Sequence, residues 1–412
     1  MTRKFILRSV GIILLIIVVL VLFKFKTIKR LYATIHLFDQ EVITENFRNM
    51  DDIYPVSRLM PAPSPTSYPK TLDYKLPENF DFSGDLINTR DFLEKTAMEG
   101  LMIHHNDTII YEEYRNDFRE DQTHISWSVS KSIVSTLLGI AYDDGLFKLE
   151  EPITKYLPQY KDTGYDGVRI KDILQMSSGV RFNEDYGDFN SDINRFGRVF
   201  AMGKSLEDFS KTLQNEREPG TYCQYVSIDT QVLGQLLKEI TGKSISEYYK
   251  EKLWIPLGME DHAEWIVDNT GMEVALGGLN MTLRDYAKIG QFLLHEGSWN
   301  GEQLLSKEWI KMATTPDAPH LLPGKQANSN NIQGYAFQWW IPEFPEGDFY
   351  ATGIHDQYIY IHPRSKTVIT VLSANHRFNE RELWGKRPHV YLFKSIVQDL
   401  ENKNFIEDST KH

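Results

Sequence analysis

The sequence predicts an α+β domain: one antiparallel sheet flanked by helices, with a mostly helical lobe inserted between its strands. Three observations lead there. A β-rich run bounded by turn residues lies near 101–111, and a second lies at 358–372. Between them, apolar residues recur at helical spacing. A last helical segment, about Trp384 to Leu400, is placed to cover the sheet.

The chain opens differently. Val10 to Phe23 carries no charge, and the apolar stretch reaches back to Phe5 if Arg8 is tolerated at an interface. A helix crosses a bilayer in about 17–25 residues, so 5–23 predicts a transmembrane anchor, with a signal-peptide core as the other reading. No small-x-small cleavage site follows, which favours an uncleaved anchor. Arg3, Lys4 and Arg8 precede the span, and Lys24, Lys26, Lys29 and Arg30 follow it. That count leans slightly towards a cytoplasmic body, and the same residues suit anionic lipid headgroups. Residues 24–84 read as juxtamembrane and linker: a helical start from Tyr32 to Phe47, then five prolines between Pro55 and Pro69, as in an extended strap.

The domain proper is expected over 85–400, before a polar tail at 401–412. Leu101–His105 and Thr108–Tyr111 flank Asn106-Asp107, a hairpin turn pair. A helix from about Ser128 ends at Gly145. Asp229 to Ile240 puts Val232, Leu233, Leu236, Leu237 and Ile240 on one face and stops at Gly242. Thr282 and Asp285 open a helix that ends at Gly297. Tyr358–His362 and Thr367–Leu372 form the second hairpin. No internal repeat is evident.

Composition narrows the function. The 412 residues carry net charge −12. Without residues 1–30, which hold seven positive side chains and no negative ones, 38 basic face 57 acidic residues, about −19. So acidic a body is a poor nucleic-acid binder. The single cysteine, Cys223, excludes an internal disulfide and a cysteine-based zinc site. Adjacent His104 and His105 point to opposite faces of a strand, and no H-E-x-x-H occurs. No metal or cofactor is called for.

Ser128-Val129-Ser130-Lys131 carries the chemistry. At i and i+3 on one helix face the amine can sit beside the hydroxyl. A serine needs a base, and a desolvated lysine amine serves as one. The positive end of the helix dipole favours the developing alkoxide. Ile133, Val134, Leu137, Leu138, Ile140 and Ala141 make this a core helix. Alone, S-x-x-K arises often by chance, and a snorkelling lysine is its bland reading. A Ser-His-Asp triad through His355 or His376 is disfavoured because no G-x-S-x-G elbow occurs. Trp339-Trp340 reads as core and cleft wall.

SVSKS at 128–132, Tyr225-Val226-Ser227 and Gly353-Ile354-His355-Asp356-Gln357 together resemble the three active-site elements of the serine β-lactamase and penicillin-binding-protein superfamily. Leu174–Val180, Pro256–Met259 and Gly277–Met281 match its framing segments. The likeness covers about 85–400 and is nearest the class C-related esterases and aminohexanoate-dimer hydrolases. It implies Ser128 as the acylated nucleophile, Lys131 as its proton acceptor and Tyr225 as general acid/base, held as a usable phenolate by cations such as Lys131. Ser227 would assist in the proton network. Backbone N–H groups at Ser128 and Ile354, beside Gly353, would form the oxyanion hole. Tyr186, in Glu184-Asp185-Tyr186, would donate to a bound amide, with His355 and Gln357 as further substrate contacts.

Two departures narrow the substrate. The family's third motif usually reads Lys-Thr-Gly, and here it is Ala351-Thr352-Gly353; the second ends in Ser227 where asparagine is usual. Asp356 also stands where glycine is commoner. The expectation is a membrane-anchored serine hydrolase acting on a small ester or amide. Because the family is mostly exported, the domain is expected outside the cytoplasm. The alternatives are a β-lactamase or D-alanyl-D-alanine carboxypeptidase, and a catalytically silent sensor or scaffold. Natural substrate and oligomeric state stay open.

Overall fold

The computed structural model describes residue 9, residues 24–378 and residues 386–410. The span expected over 5–23 lies outside them but for Ser9. Among the described residues no helix is long and apolar enough to cross a membrane.

A seven-stranded antiparallel sheet forms the centre. Its order is Gly334–Tyr335, Trp340–Ile341, Phe349–Gly353, Gln357–His362, Thr367–Ser373, Met98–His105 and Thr108–Tyr114. Both expected hairpins are present. Asn106 and Asp107 take φ of 48° and 60°, the left-handed pair that a tight hairpin turn requires. Alternation along Gln357–His362 sends residues to two helical layers. On one face Ile359 meets the Leu283–Leu294 helix so closely that a Cβ at Gly290 would press into Ile359 and Val368. On the other, Tyr358 and Tyr360 pack against Phe393 of the Lys386–Thr410 helix, at 5.3 Å between ring centroids in both pairs. The sheet is therefore covered on both sides, as an α+β domain with continuous apolar strands requires.

The helical lobe is inserted between the two hairpins. The Val129–Asp143 helix lies between lobe and sheet, packed on Ser227–Thr241 and on the Phe349–Gly353 strand. Hydroxyls on its buried face fix it: Ser132 donates to the Gln338 carbonyl (2.6 Å) and Ser135 to that of Phe337 (2.7 Å).

Three expectations are corrected. The helix expected over 32–47 is two pieces, residues 24–35 and Ile43–Arg48. Between them His36 pairs with Asp39 (2.7 Å) and the Asn46 amide caps the Leu37 carbonyl (3.1 Å). The proline-rich segment, expected as an extended linker or strap, contains a strand, Val56–Leu59, paired with Ala263–Ile266. The last helix continues through the expected tail to Thr410, helped by a Lys403–Asp399 pair one turn apart (2.7 Å).

Candidate active site

The nucleophile turn is built by a small four-stranded sheet. His124–Ile125 pairs with Leu279–Met281, and the Ser126 N–H continues the ladder to the Leu279 carbonyl (3.1 Å). The chain then turns sharply through Trp127, whose φ of 47° is a left-handed conformation disfavoured for a bulky residue. Phe38 and Phe47 clamp the indole, with centroids at 5.5 and 5.4 Å. Ser128 follows at the helix N-cap, where its hydroxyl faces the positive end of the dipole.

Lys131 is 1% exposed. Its Nζ donates to Ser128 Oγ (3.0 Å) and to the Leu276 carbonyl (2.5 Å). The snorkelling alternative is thereby excluded: the amine is held inside, against the hydroxyl. Tyr225 completes the group. Its ring stacks on Trp340 at 5.4 Å and borders the same cleft as Ser128, where the Ser128 and Ser227 side chains act on its phenol.

Burial, and then the charge of Glu184, push the Tyr225 phenol well above its ordinary value. Lys131 lies over the ring face, 5.3 Å from the centroid. The expected phenolate is therefore corrected to a neutral phenol, a proton donor at rest.

Ser227 is the first residue of its helix. Its hydroxyl and its N–H (3.1 Å) both go to Glu184, and the Tyr186 hydroxyl donates to the same carboxylate (3.0 Å). Tyr186 thus spends its donor on Glu184 rather than presenting it free to an amide. Glu184 was visible in sequence only as part of a matching segment; here it ties Ser227 to Tyr186 and acts on Tyr225.

The third element lies against the first. A Cβ at Gly353 would overlap the Ser126 carbonyl and sit 3.0 Å from the Ser128 nitrogen. Glycine is needed because two backbones meet here. His355 and Asp356 turn the hairpin with φ of 61° and 69°, and the Asn375 amide holds the Asp356 carboxylate (2.6 Å).

Two expected substrate contacts change role. Gln357 is fully buried and absent from the cleft wall. Its amide N–H groups go to the carbonyls of Ile354 (3.3 Å), His355 (2.9 Å) and Ser373 (2.6 Å), and its oxygen accepts from Ser373 N (3.1 Å). It positions the Ile354 loop instead of touching substrate. His355 borders the cleft, but its ring packs on Phe38, Phe47 and Phe378 while Nδ1 bonds the Asn375 carbonyl (2.7 Å). Burial lowers its pKa to about 3, so it is neutral and serves as a clamp.

Two cavities meet at Ser128. A cleft of about 720 Å³ has polar walls that include Glu184, Tyr225, Asn331 and Gly353. A second cavity, about 330 Å³, is lined mainly by apolar side chains. Ser128, Tyr186 and Ile354 border both. Gln338 braces the floor: it accepts from Thr230 (2.7 Å) and donates to the Leu174 carbonyl (2.8 Å). Its φ of 63° has no sequence signal. No group of three or more metal-ligating side chains occurs among the described residues.

With this geometry, comparison with known proteins is decisive. The beta-lactamase family profile matches residues 89–386, more than half of the chain. The chain belongs to the beta-lactamase family. It is a beta-lactamase-family serine hydrolase. The 6-aminohexanoate-dimer hydrolase of Paenarthrobacter ureafaciens is 29% identical over 290 residues, covering 68% of this chain and 74% of that protein. A structure from Bacillus anthracis, provisionally named a 6-aminohexanoate-dimer hydrolase, superposes with TM-score 0.79 at 22% identity, covering 89% of this chain and 96% of that one. A family VIII carboxylesterase shares the fold at TM-score 0.55 and 14% identity, covering 75% and 96%.

Proposed function

We propose that this serine hydrolase cleaves small esters or amides through an acyl-enzyme on Ser128. The observation that carries the reading is the buried Lys131 Nζ donating to Ser128 Oγ (3.0 Å), with the Tyr225 ring centroid 5.3 Å from the same amine and on the wall of the same cleft. Ser128 Oγ bonds to the substrate carbonyl carbon as its proton passes to the Lys131 amine. The carbonyl electrons move to oxygen, which the N–H groups of Ser128 and Ile354 stabilise; each such donor is typically worth about 3–4 kcal/mol. Collapse breaks the bond to the leaving nitrogen or oxygen, which takes the phenol proton of Tyr225, and Lys131 returns a proton to Tyr225. Water then attacks the acyl-enzyme, and the same pair carries its proton back to Ser128 Oγ.

The penicillin-directed alternative has less support. Ala351 replaces the lysine that would bind a substrate carboxylate and is itself fully buried. Arg387, at the cleft rim, is paired with Glu343 (2.7 Å). The amide and ester activities of relatives fit the site better.

We propose further that residues 5–23 tether the domain to a membrane, with the catalytic body on the outer side. The uncharged run before Lys24 supports this, as do exposed Phe25, Ile28, Tyr32 and Ile35 at helical spacing on residues 24–35. Protease accessibility on spheroplasts tests the side; protection of the domain in intact spheroplasts refutes it.

The test of the chemistry is turnover of p-nitrophenyl acetate and nitrocefin by the full chain and by Ser128→Ala. Ester turnover lost in the variant is expected. Nitrocefin turnover exceeding ester turnover would favour the β-lactamase reading, and absence of Ser128-dependent hydrolysis of either would refute the proposal.

A further inference from the structure

The reaction just proposed has an acyl side and a leaving-group side, and the two cavities differ in which reacting groups they contain. Tyr225, the proton donor to the leaving group, borders the polar cleft and not the apolar cavity. Ser128 and Ile354 border both. A carbonyl held at their junction, with its leaving atom towards Tyr225, therefore sends its acyl substituent into the apolar cavity.

That cavity is made by a part of the chain outside the three motifs. Leu37, Phe38, Met50 and Tyr54 supply one wall, and Ile193, Phe196 and Phe200 of the Asp192–Ala201 helix supply the opposite one. Its few polar groups are already engaged. The Tyr54 hydroxyl pairs with Thr34 Oγ1 (2.8 Å), which also donates to the Arg30 carbonyl (2.7 Å). The Asn194 amide donates to the Tyr186 and Asp188 carbonyls, at 3.0 and 2.8 Å. The one charged group of the lining, Arg198, lies over the Phe189 ring at 3.8 Å and donates to the Phe189 carbonyl (2.7 Å); against the remaining apolar walls an apolar chain loses its water. The volume, about 330 Å³, is at the lower end of ordinary small-molecule sites.

Resting on the hydrolase reading, we infer that this cavity is an acyl-chain site. The substrate class is an ester or amide of a medium-length apolar acid, its alcohol or amine part held in the polar cleft. Each methylene newly buried raises kcat/KM about fourfold, until the chain reaches the Leu37 and Phe200 walls.

The experiment uses the full chain with p-nitrophenyl acetate, butyrate and octanoate, reading the octanoate-to-acetate ratio of kcat/KM. A ratio of about tenfold or more is expected. Gly197 lines the cavity on a helix, and a Cβ there meets only Thr34 Cγ2 at 3.9 Å, so Gly197→Leu occupies the space without backbone strain. It should reduce the ratio at least fivefold. Ile193→Ala, which enlarges the cavity, should move the optimum towards dodecanoate, so the idea does not depend on one variant folding. Ser128-dependent hydrolysis with a ratio near one, or a ratio that neither variant changes, overturns the acyl-chain site and leaves the hydrolase intact. No Ser128-dependent hydrolysis of any ester overturns both.

Discussion

The polar cleft and the apolar cavity share Ser128 but are built by different kinds of structure. The cleft is made by short motifs at the ends of regular elements, each held by buried hydrogen bonds: Glu184 on Ser227, Gln357 on the Ile354 loop, Leu276 on Lys131. The cavity has no motif. It comes from packing between the N-terminal segment and the Asp192–Ala201 helix. The chemistry therefore depends on directional contacts that single substitutions break, while selectivity depends on volume, which substitutions change gradually. Phe38 and Phe47 join the two: they pack on Trp127 and His355, so the N-terminal segment also braces the nucleophile turn.

The largest separable effect is expected at Tyr225. Removing a general acid costs about 10²–10⁴-fold, but a p-nitrophenolate leaves without a proton and an alkylamine does not. Tyr225→Phe should therefore lose about 10³-fold on an alkyl amide and at least tenfold less on the nitrophenyl ester. Equal losses on both would mean that Tyr225 serves acylation in another way. The same residue sets a pH dependence. Glu184 helps to hold the phenol up, so Glu184→Gln should lower the Tyr225 pKa and move the alkaline limb of kcat/KM to lower pH. An unmoved limb would remove Glu184 from the proton network.

Gln357→Ala should act next most strongly. It frees the Ile354 loop and leaves carbonyls of Ile354, His355 and Ser373 unpaired, a loss of about 1–3 kcal/mol in stability. As a positioning residue it should lower kcat about tenfold, with KM nearly constant, because a donor of the oxyanion hole loosens. A purely structural glutamine would lower stability and leave kcat per folded molecule unchanged.

The smallest effect concerns Asp229 beneath the cleft. It accepts from Tyr165 (2.8 Å) and Ser178 (2.9 Å) through one oxygen; the other has no partner among the described residues. Burial raises its pKa to about 8. A carboxyl raised in the folded state binds protons more tightly there than in the unfolded chain, so stability falls as pH rises from about 4 through 8. Asp229→Asn should flatten that slope by about 1–3 kcal/mol between pH 5 and 8, seen in urea midpoints, while sparing the chain-length preference. A slope equal to the wild type's would show that Asp229 does not titrate in this range.

How far the sequence could be read follows the same division. Hairpins and helix ends were legible because their signals are local: Asn106-Asp107 turns the first hairpin, and Gly242, with φ of 67°, ends the Ser227 helix. Ser128, Lys131 and Tyr225 were legible as motif positions. Burial reassigned Gln357 and His355, since spacing places a residue near a site without showing which way its amide or ring is spent. Gln338 had no signal, being a buried glutamine in a left-handed turn. The apolar cavity was hidden for a related reason: Leu37, Met50, Phe196 and Phe200 are distant in sequence and look like ordinary core residues.

The most direct measurement is peptide mapping of the full chain after reaction with an alkyl fluorophosphonate. The phosphonyl adduct should be found on Ser128, form more than tenfold faster with an octyl than with an ethyl reagent, and be absent from Ser128→Ala. An adduct on another residue, or none on Ser128 after prolonged exposure, would contradict the assignment of Ser128 as the nucleophile.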